Sequence, residues 1–197
     1  MVPVRQILAL DQRLAAILHL RGETMMAQFR LAWWRDALGG EVATGEPLAD
    51  ALRALPHREQ LAPHLVALVD GWEEWIVQRD TPETIDWASY AAQRGEGLFA
   101  AIALAMGHDM TVDIARMGRL WALWDAAGWS RDEAITQAAI ALGGDLAGEV
   151  ECLPSLPRPL RTLAALAHPD LLRARGAPAG MTLPLYLRVL RAQIIGR

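Results

Sequence analysis

Apolar residues recur at intervals of three and four along almost the whole chain, and runs of alternating β-branched residues are absent. This spacing places the apolar side chains on one face of a helix. Helix-starting and helix-breaking residues then divide the chain into segments. About eight helices are predicted, with bounds near 4–20, 23–38, 58–78, 81–106, 111–129, 130–142, 159–166 and 183–195, and a further short one near 47–55. We therefore expect an all-α protein.

Two of these boundaries depend on capping patterns. Thr81 is followed by Pro82 and Glu83, which is a hydroxyl cap with proline at the first helical position. Ser130 with Glu133 three residues later resembles a capping box, and the helix that it opens ends near 142 or continues to 150. Residues 153–159 hold three prolines and are predicted to form a loop. No linker is both long and polar, so the whole chain, 1–197, is predicted to be one domain.

Composition narrows the classes of function. The chain has eight Trp but only two Phe and two Tyr, so tryptophan supplies most of the large aromatic surface for a core or a pocket. All 19 basic residues are Arg, the net charge is −4, and no block of like charge predicts nucleic-acid binding.

The longest apolar run, 98–106, has nine residues, whereas a membrane span needs about 20. The lone Cys152 has no disulfide partner in the chain. We expect a cytoplasmic protein, and peripheral contact with a membrane stays open.

The most distinctive segment is 30–38, Arg-Leu-Ala-Trp-Trp-Arg-Asp-Ala-Leu. On a helix, Phe29 and Trp33 share one face, while Arg30 and Trp34 share the neighbouring one. The spacing of Arg30 and Trp34 permits a cation–π contact. Two interpretations of the tryptophan pair stay open, because aromatic side chains dominate both cores and ligand pockets.

Residues 23–38 resemble the second helix of squalene/phytoene synthase-like proteins, above all a divergent branch that includes a mitochondrial complex I assembly factor. Segments further along resemble later parts of the same family in the same order: Asp-Gly-Trp-Glu at 70–73, Tyr-Ala-Ala-Gln-Arg-Gly-Glu-Gly at 90–97, Gly-Arg-Leu-Trp-Ala-Leu-Trp-Asp at 118–125, and the tail 183–197. The resemblance covers nearly the whole chain, although family members usually carry more residues before the position of Val4. It implies the all-helical isoprenoid (terpenoid) synthase fold, a single-domain bundle.

The resemblance also implies a chemistry from which this sequence departs. Active family members join two prenyl diphosphates, and two facing Asp-x-x-x-Asp motifs hold the Mg²⁺ that binds the diphosphates. Where the first acids are expected, this chain has Arg13, Leu14 and Ile17, and Asp11 is the only acid of that helix. Near the second motif, Asp125 is followed at the four-residue step by Trp129, which cannot bind Mg²⁺. We predict no metal ligand, cofactor or catalytic residue.

The hypothesis that follows is a catalytically degenerate protein that binds an isoprenoid, another lipid or a protein partner, in the manner of an assembly factor. Its acids should pair with Arg rather than with metal, because a buried unpaired charge is costly. The residues expected to line a central cavity are Asp11, Leu14, Leu18, Arg30, Trp34, Trp121 and Asp125.

Two alternatives stay open at this point. One is an active prenyl transferase with a remodelled metal site, which would need Mg²⁺. The other is a helical interaction module whose centre is filled by side chains. An acid-lined cavity would favour the enzyme, an acid-free cavity would favour lipid or partner binding, and a filled centre would favour the module.

Overall fold

The computed structural model describes residues 2–18, 24–40, 43–78, 81, 84–150 and 156–194. Within these ranges the regular structure is helical, which confirms the all-α class. The helices are α1 (Val2–Leu18), α2 (Thr24–Gly39), α3 (Pro47–Arg53), α4 (Arg58–Val77), α5 (Trp87–Tyr90), α6 (Gly97–Ala105), α7 (Val112–Trp129), α8 (Glu133–Gly148), α9 (Arg158–Leu171) and α10 (Leu183–Ile194). A π-helical segment (Ala91–Glu96) joins α5 to α6 without a break. None of the described helices combines the length and the apolar character needed to cross a bilayer.

The continuous rod formed by α5, the π-helical segment and α6 lies at the centre of the bundle. Helix α4 packs against its π-helical segment and α6 on one side, and α7 packs against its π-helical segment on another. Helices α1 and α2 lie against this centre through α6 and α4, while α8 and α9 pack on α7. Helix α10 packs on α9 alone among the stronger contacts of the described helices. The bundle therefore buries its core around the π-helical segment.

Glycines let the backbones approach closely at this segment. A Cβ atom on Gly95 would lie 2.2 Å from the carbonyl oxygen of Gly118, and one on Gly71 would lie 2.6 Å from the backbone nitrogen of Arg94. Only a residue without a side chain fits at such distances. The three sequence segments 70–73, 90–97 and 118–125 thus meet at one point, with Arg94 between α4 and α7.

Both capping predictions were wrong. The helix after residue 80 begins at Trp87, where the Asp86 carboxylate accepts hydrogen bonds from the backbone N–H groups of Ala88 and Ser89. The hydroxyl of Thr81 instead donates to the Gln78 side chain at 3.3 Å, and Pro82 and Glu83 lie outside the described residues. At the start of α8, the cap is the Asp132 carboxylate rather than Ser130. In both places an acid sits directly before the helix, where it accepts from the free N–H groups and favours the helix dipole.

Two helices extend beyond their shorter predicted ends. Helix α8 continues through Gly143 to Gly148. A Cβ atom on Gly143 would lie 2.7 Å from the Leu171 side chain of α9, so glycine at this position lets the two helices pack closely. Helix α9 continues beyond 166 to Leu171. Close packing between α8 and α9 thus overrides the local preference of glycine to end a helix. Cys152 and most of the predicted proline loop lie outside the described residues.

Candidate functional site

A buried arginine binds two acids at the centre of the bundle. Arg94 lies on the π-helical segment, and its side chain is only 2% exposed. Its Nε and Nη2 atoms donate to the two carboxylate oxygens of Asp11 on α1, at 3.0 and 2.9 Å. The same Nη2 lies 2.7 Å from Oδ2 of Asp125 on α7. Helices α1 and α7 therefore face each other across the centre, and the predicted pairing of both acids with Arg is confirmed.

Aromatic residues complete this central network. Arg94 Nη1 donates to the Tyr90 hydroxyl at 2.7 Å. The indole of Trp72 donates to Asp11 at 2.8 Å, and that of Trp129 donates to Asp125 at 3.2 Å. Arg94 Cζ lies 4.2 Å from the centroid of the Trp72 ring and 4.7 Å from that of Trp121, both within cation–π range. The space between α1 and α7 is thus filled by side chains. We call Asp11, Trp72, Tyr90, Arg94, Trp121, Asp125 and Trp129 the Arg94 network.

Two members of the Arg94 network, Tyr90 and Arg94, have pKa values shifted away from neutral pH. Burial raises the pKa of the Tyr90 phenol well above its ordinary value, although the Arg94 charge opposes this. Burial alone would lower the pKa of Arg94, but the Asp11 charge, followed by smaller contributions that include Asp125, raises it overall. Tyr90 therefore stays protonated and Arg94 stays charged at neutral pH. Neither titrates in the range where general acid–base catalysts work best.

The residues at the centre do not fit the Mg²⁺ that the family resemblance implies. Mg²⁺ needs carboxylate oxygens that are free to complete an octahedral shell. Both oxygens of Asp11 already accept from Arg94, and the Oδ2 atom of Asp125 accepts from Trp129 beside Arg94. A divalent cation there would also lie against the guanidinium charge. Leu14 and Ile17 are buried apolar residues at positions where the family's acids were expected.

The seven residues predicted to line a cavity are divided between three places. Asp11, Trp121 and Asp125 belong to the Arg94 network. Leu14 is fully buried in the core, and Leu18 packs against that core near the end of α1. The other two, Arg30 and Trp34, lie apart from the centre, between α1 and α2.

Arg30 and Trp34 line an open groove of about 400 Å³ between α1 and α2. Trp34 is 6% exposed and also packs in the core, while its neighbour Trp33 is 43% exposed. The two rings meet edge to face, with centroids 5.1 Å apart. The tryptophan pair therefore serves both the core and a groove. The residues that line this α1–α2 groove are Arg13, Ala16, Ile17, Phe29, Arg30, Trp33 and Trp34.

The residues predicted for the site did not include Arg94, Tyr90 or Trp72. The available signal was an arginine among small residues in the 90–97 segment, one helical turn after Tyr90. A second ion-pair cluster was missed as well. Arg35, from the Trp-Trp-Arg segment, donates from Nε to Asp70 at 2.8 Å and also pairs with Glu73. The segments at 30–38 and 70–73 are thus joined by charge where α2 packs on α4.

Comparisons with known proteins give no further information. No protein-family model matches the chain, and no curated protein or solved structure is significantly similar to it.

Proposed function

We propose that this chain is a catalytically degenerate relative of the squalene/phytoene synthases that acts by binding a partner at its surface. The single observation that supports this most is the position of Arg94, whose guanidinium binds both Asp11 and Asp125. The one acid on α1 and the acid of α7 that faces it are bridged by a cation of the protein itself. Their oxygens accept from this guanidinium and from the indoles of Trp72 and Trp129, which is the position that metal and diphosphate would need.

The argument against diphosphate chemistry is physical. A leaving diphosphate carries several negative charges and needs cations that can reach it. Arg94 is the cation at the centre, but it is 2% exposed and already engaged with Asp11 and Tyr90. A diphosphate would have to displace Asp11 from a two-point contact, and the displaced buried carboxylate would then be unpaired.

The filled centre favours the interaction module over a protein that encloses its ligand. Trp72 and Leu14 are fully buried, and Trp121 is nearly so, where a central cavity was expected. Binding then has to take place on the outer surface. The α1–α2 groove is the strongest candidate, because it combines exposed aromatic side chains with arginines.

The proposal is tested by incubating the purified chain with Mg²⁺ and farnesyl or geranylgeranyl diphosphate, followed by measurement of released pyrophosphate. We expect no release above that of heat-denatured protein. The matched control is the triple variant Asp11→Asn/Asp125→Asn/Arg94→Met, which would abolish any release that depends on the two acids without leaving a buried guanidinium unpaired. Release by the native chain that this variant loses would favour the enzyme alternative and contradict our proposal.

A further inference from the structure

An exposed apolar ridge runs along α2 beside the groove. Met25, Met26, Phe29 and Trp33 are all exposed, with Phe29 and Trp33 four and eight residues after Met25. Residues at this spacing lie next to one another on a helix. We call these four residues the α2 ridge. Large apolar side chains gathered on one exposed face indicate an interaction surface, whereas single ones do not.

Arginines flank the α2 ridge without strong partners. Arg13 on α1 is 60% exposed, and its ion pair with Glu46 is long, at 3.8 Å. Arg30 lies between Phe29 and Trp33 in sequence and has no ion pair among the described residues. No acid is exposed on α1 or on α2 before Asp36, because Asp11 is buried. The face is therefore both apolar and cationic, which calls for an anionic, amphiphilic counterpart.

We propose that this face docks the protein on the surface of an anionic lipid bilayer, a proposal that rests on the surface-binding function inferred above. In this arrangement the α2 ridge enters the boundary between headgroups and acyl chains. Trp33 has the amphipathic ring that is enriched at that boundary. Arg13 and Arg30 extend their charged ends to the lipid phosphates while their stems lie along the apolar surface.

The dimensions of the groove favour lipid over a docked protein helix. Its volume is about 400 Å³. A helix with its side chains is about 10–12 Å across and would find only a shallow seat there. A groove of this size is instead adequate for part of an acyl chain, next to side chains that already enter the bilayer. Each arginine near an anionic surface contributes about 1 kcal/mol, or about a fivefold increase in binding.

The test is sedimentation of the purified full-length chain with vesicles. One set contains phosphatidylcholine alone, and the other contains phosphatidylcholine mixed with phosphatidylglycerol. We expect strong binding to the anionic set at low salt and weak binding to the neutral set. Replacing the ridge aromatics (Phe29→Ser with Trp33→Ser) should abolish binding to both sets. Replacing the arginines (Arg13→Gln with Arg30→Gln) should weaken anionic binding about 25-fold, from the two contributions together.

Matched controls lie elsewhere on the surface. Leu172→Ser removes an equally exposed apolar side chain after α9, and Arg131→Gln removes an exposed arginine before α8. Circular dichroism would show that each variant keeps its helices. Vesicle binding that both controls retain, that the ridge variant loses and that the arginine variant weakens supports the proposal. Equal loss in controls and variants, or equal binding to both vesicle sets, overturns it.

Other occupants of the face give different outcomes. Self-association that the ridge variant abolishes, without vesicle binding by the native chain, would assign the face to a second copy. Binding of a synthetic acidic amphipathic helix in place of vesicles would assign it to a protein; either result overturns the bilayer proposal. Failure on vesicles combined with no pyrophosphate release leaves the non-catalytic proposal standing. Pyrophosphate release combined with vesicle binding would overturn the non-catalytic proposal and leave docking on the bilayer standing.

Discussion

The protein uses its arginines in opposite ways at the centre and at the α1–α2 face, which comprises the α1–α2 groove and the α2 ridge. Arg94 is buried, and it binds two carboxylates, a phenol and two indole rings. Arg30 lies on an exposed face beside Phe29 and Trp33 and has no ion pair among the described residues. The charged and hydrogen-bonding groups of the Arg94 network are therefore engaged within the fold. The arginine and aromatic side chains of the α1–α2 face are exposed and can contact a partner.

The difference has an energetic basis. Burying a charge is tolerated only when partners replace the lost water, and the Arg94 network supplies them from α1, α4, α5 and α7. Exposing Met25, Met26, Phe29 and Trp33 together forgoes the free energy of burial, which is roughly 1.5–3 kcal/mol for a large apolar side chain. Buried charge with partners is thus associated with fold specificity, and exposed apolar surface with binding.

The largest expected effect comes from removing the central cation. Arg94→Met should lower the free energy of unfolding by about 3–5 kcal/mol, because it leaves the buried Asp11 and the half-buried Asp125 without their cation. Arg35→Met is the matched control, since Arg35 also pairs with two acids but is 34% exposed, and it should cost about 1 kcal/mol or less. Urea unfolding of both variants measures this. Equal losses of stability in the two variants would contradict the larger cost expected for removing the buried cation.

Restoring the charge balance sharpens the same comparison. Adding Asp11→Asn and Asp125→Asn to Arg94→Met should recover part of the lost stability, because no unpaired carboxylate remains. A triple variant less stable than Arg94→Met alone would assign the loss to packing against Trp72 and Trp121 instead.

The two adjacent tryptophans of α2 test where the core ends and the surface begins. Trp34→Ala should cost about 3–5 kcal/mol, as expected for a buried Trp. Trp33→Ala should cost about 1 kcal/mol, because much of that ring is already in water. Thermal unfolding of the two variants provides the measurement. A larger loss of stability in Trp33→Ala than in Trp34→Ala would contradict the orientation of α2.

Close backbone contact at the π-helical segment predicts a smaller loss. A Cβ atom on Gly118 would lie 2.4 Å from the carbonyl oxygen of Gly95, so Gly118→Ala should destabilise by about 1–3 kcal/mol through a forced backbone shift. Gly148→Ala is the control, because nothing lies within 4 Å of a Cβ atom there. In a helix that change should stabilise by about 0.5–1 kcal/mol. Chemical denaturation measures the free energy of unfolding of both variants. A change of the same sign in Gly118→Ala and Gly148→Ala would contradict the close backbone contact.

The smallest expected effect is on pH dependence. Burial lowers the pKa of His64 on α4, and the Glu96 charge opposes this shift in part. The unfolded chain then binds the proton more readily than the folded one, so stability is fully present above about pH 6.5 and decreases as the pH falls below it. His64→Gln should make the unfolding temperature fall less steeply over that range. A slope that stays the same in the His64→Gln variant would contradict this assignment.

Some features of the site followed from the sequence. The family resemblance implied that the helices of Asp11 and Asp125 face each other. Pairing of the two acids with arginine rather than with metal was expected because other acids are missing around them and a buried unpaired charge is costly. The partner was not, because Arg94 is 83 positions from Asp11 and several other arginines were equally available. Three glycines and a π-helical turn bring it to the centre, and none of these was evident from periodicity.

The sequence by itself determined the helical class and most helix positions. The spacing of apolar residues every three or four positions follows from the local geometry of a helix alone. It also determined that α2 would have tryptophan on two neighbouring faces. Only the tertiary structure decided which face is buried. Packing of α2 on α4 and α1 fixes its rotation, which places Trp34 in the core and leaves Trp33 and the methionines outside. Whether the centre is a cavity or a salt-bridged core was decided in the same way, because a space between helices exists only when no side chain from a third element fills it, and here Arg94 does.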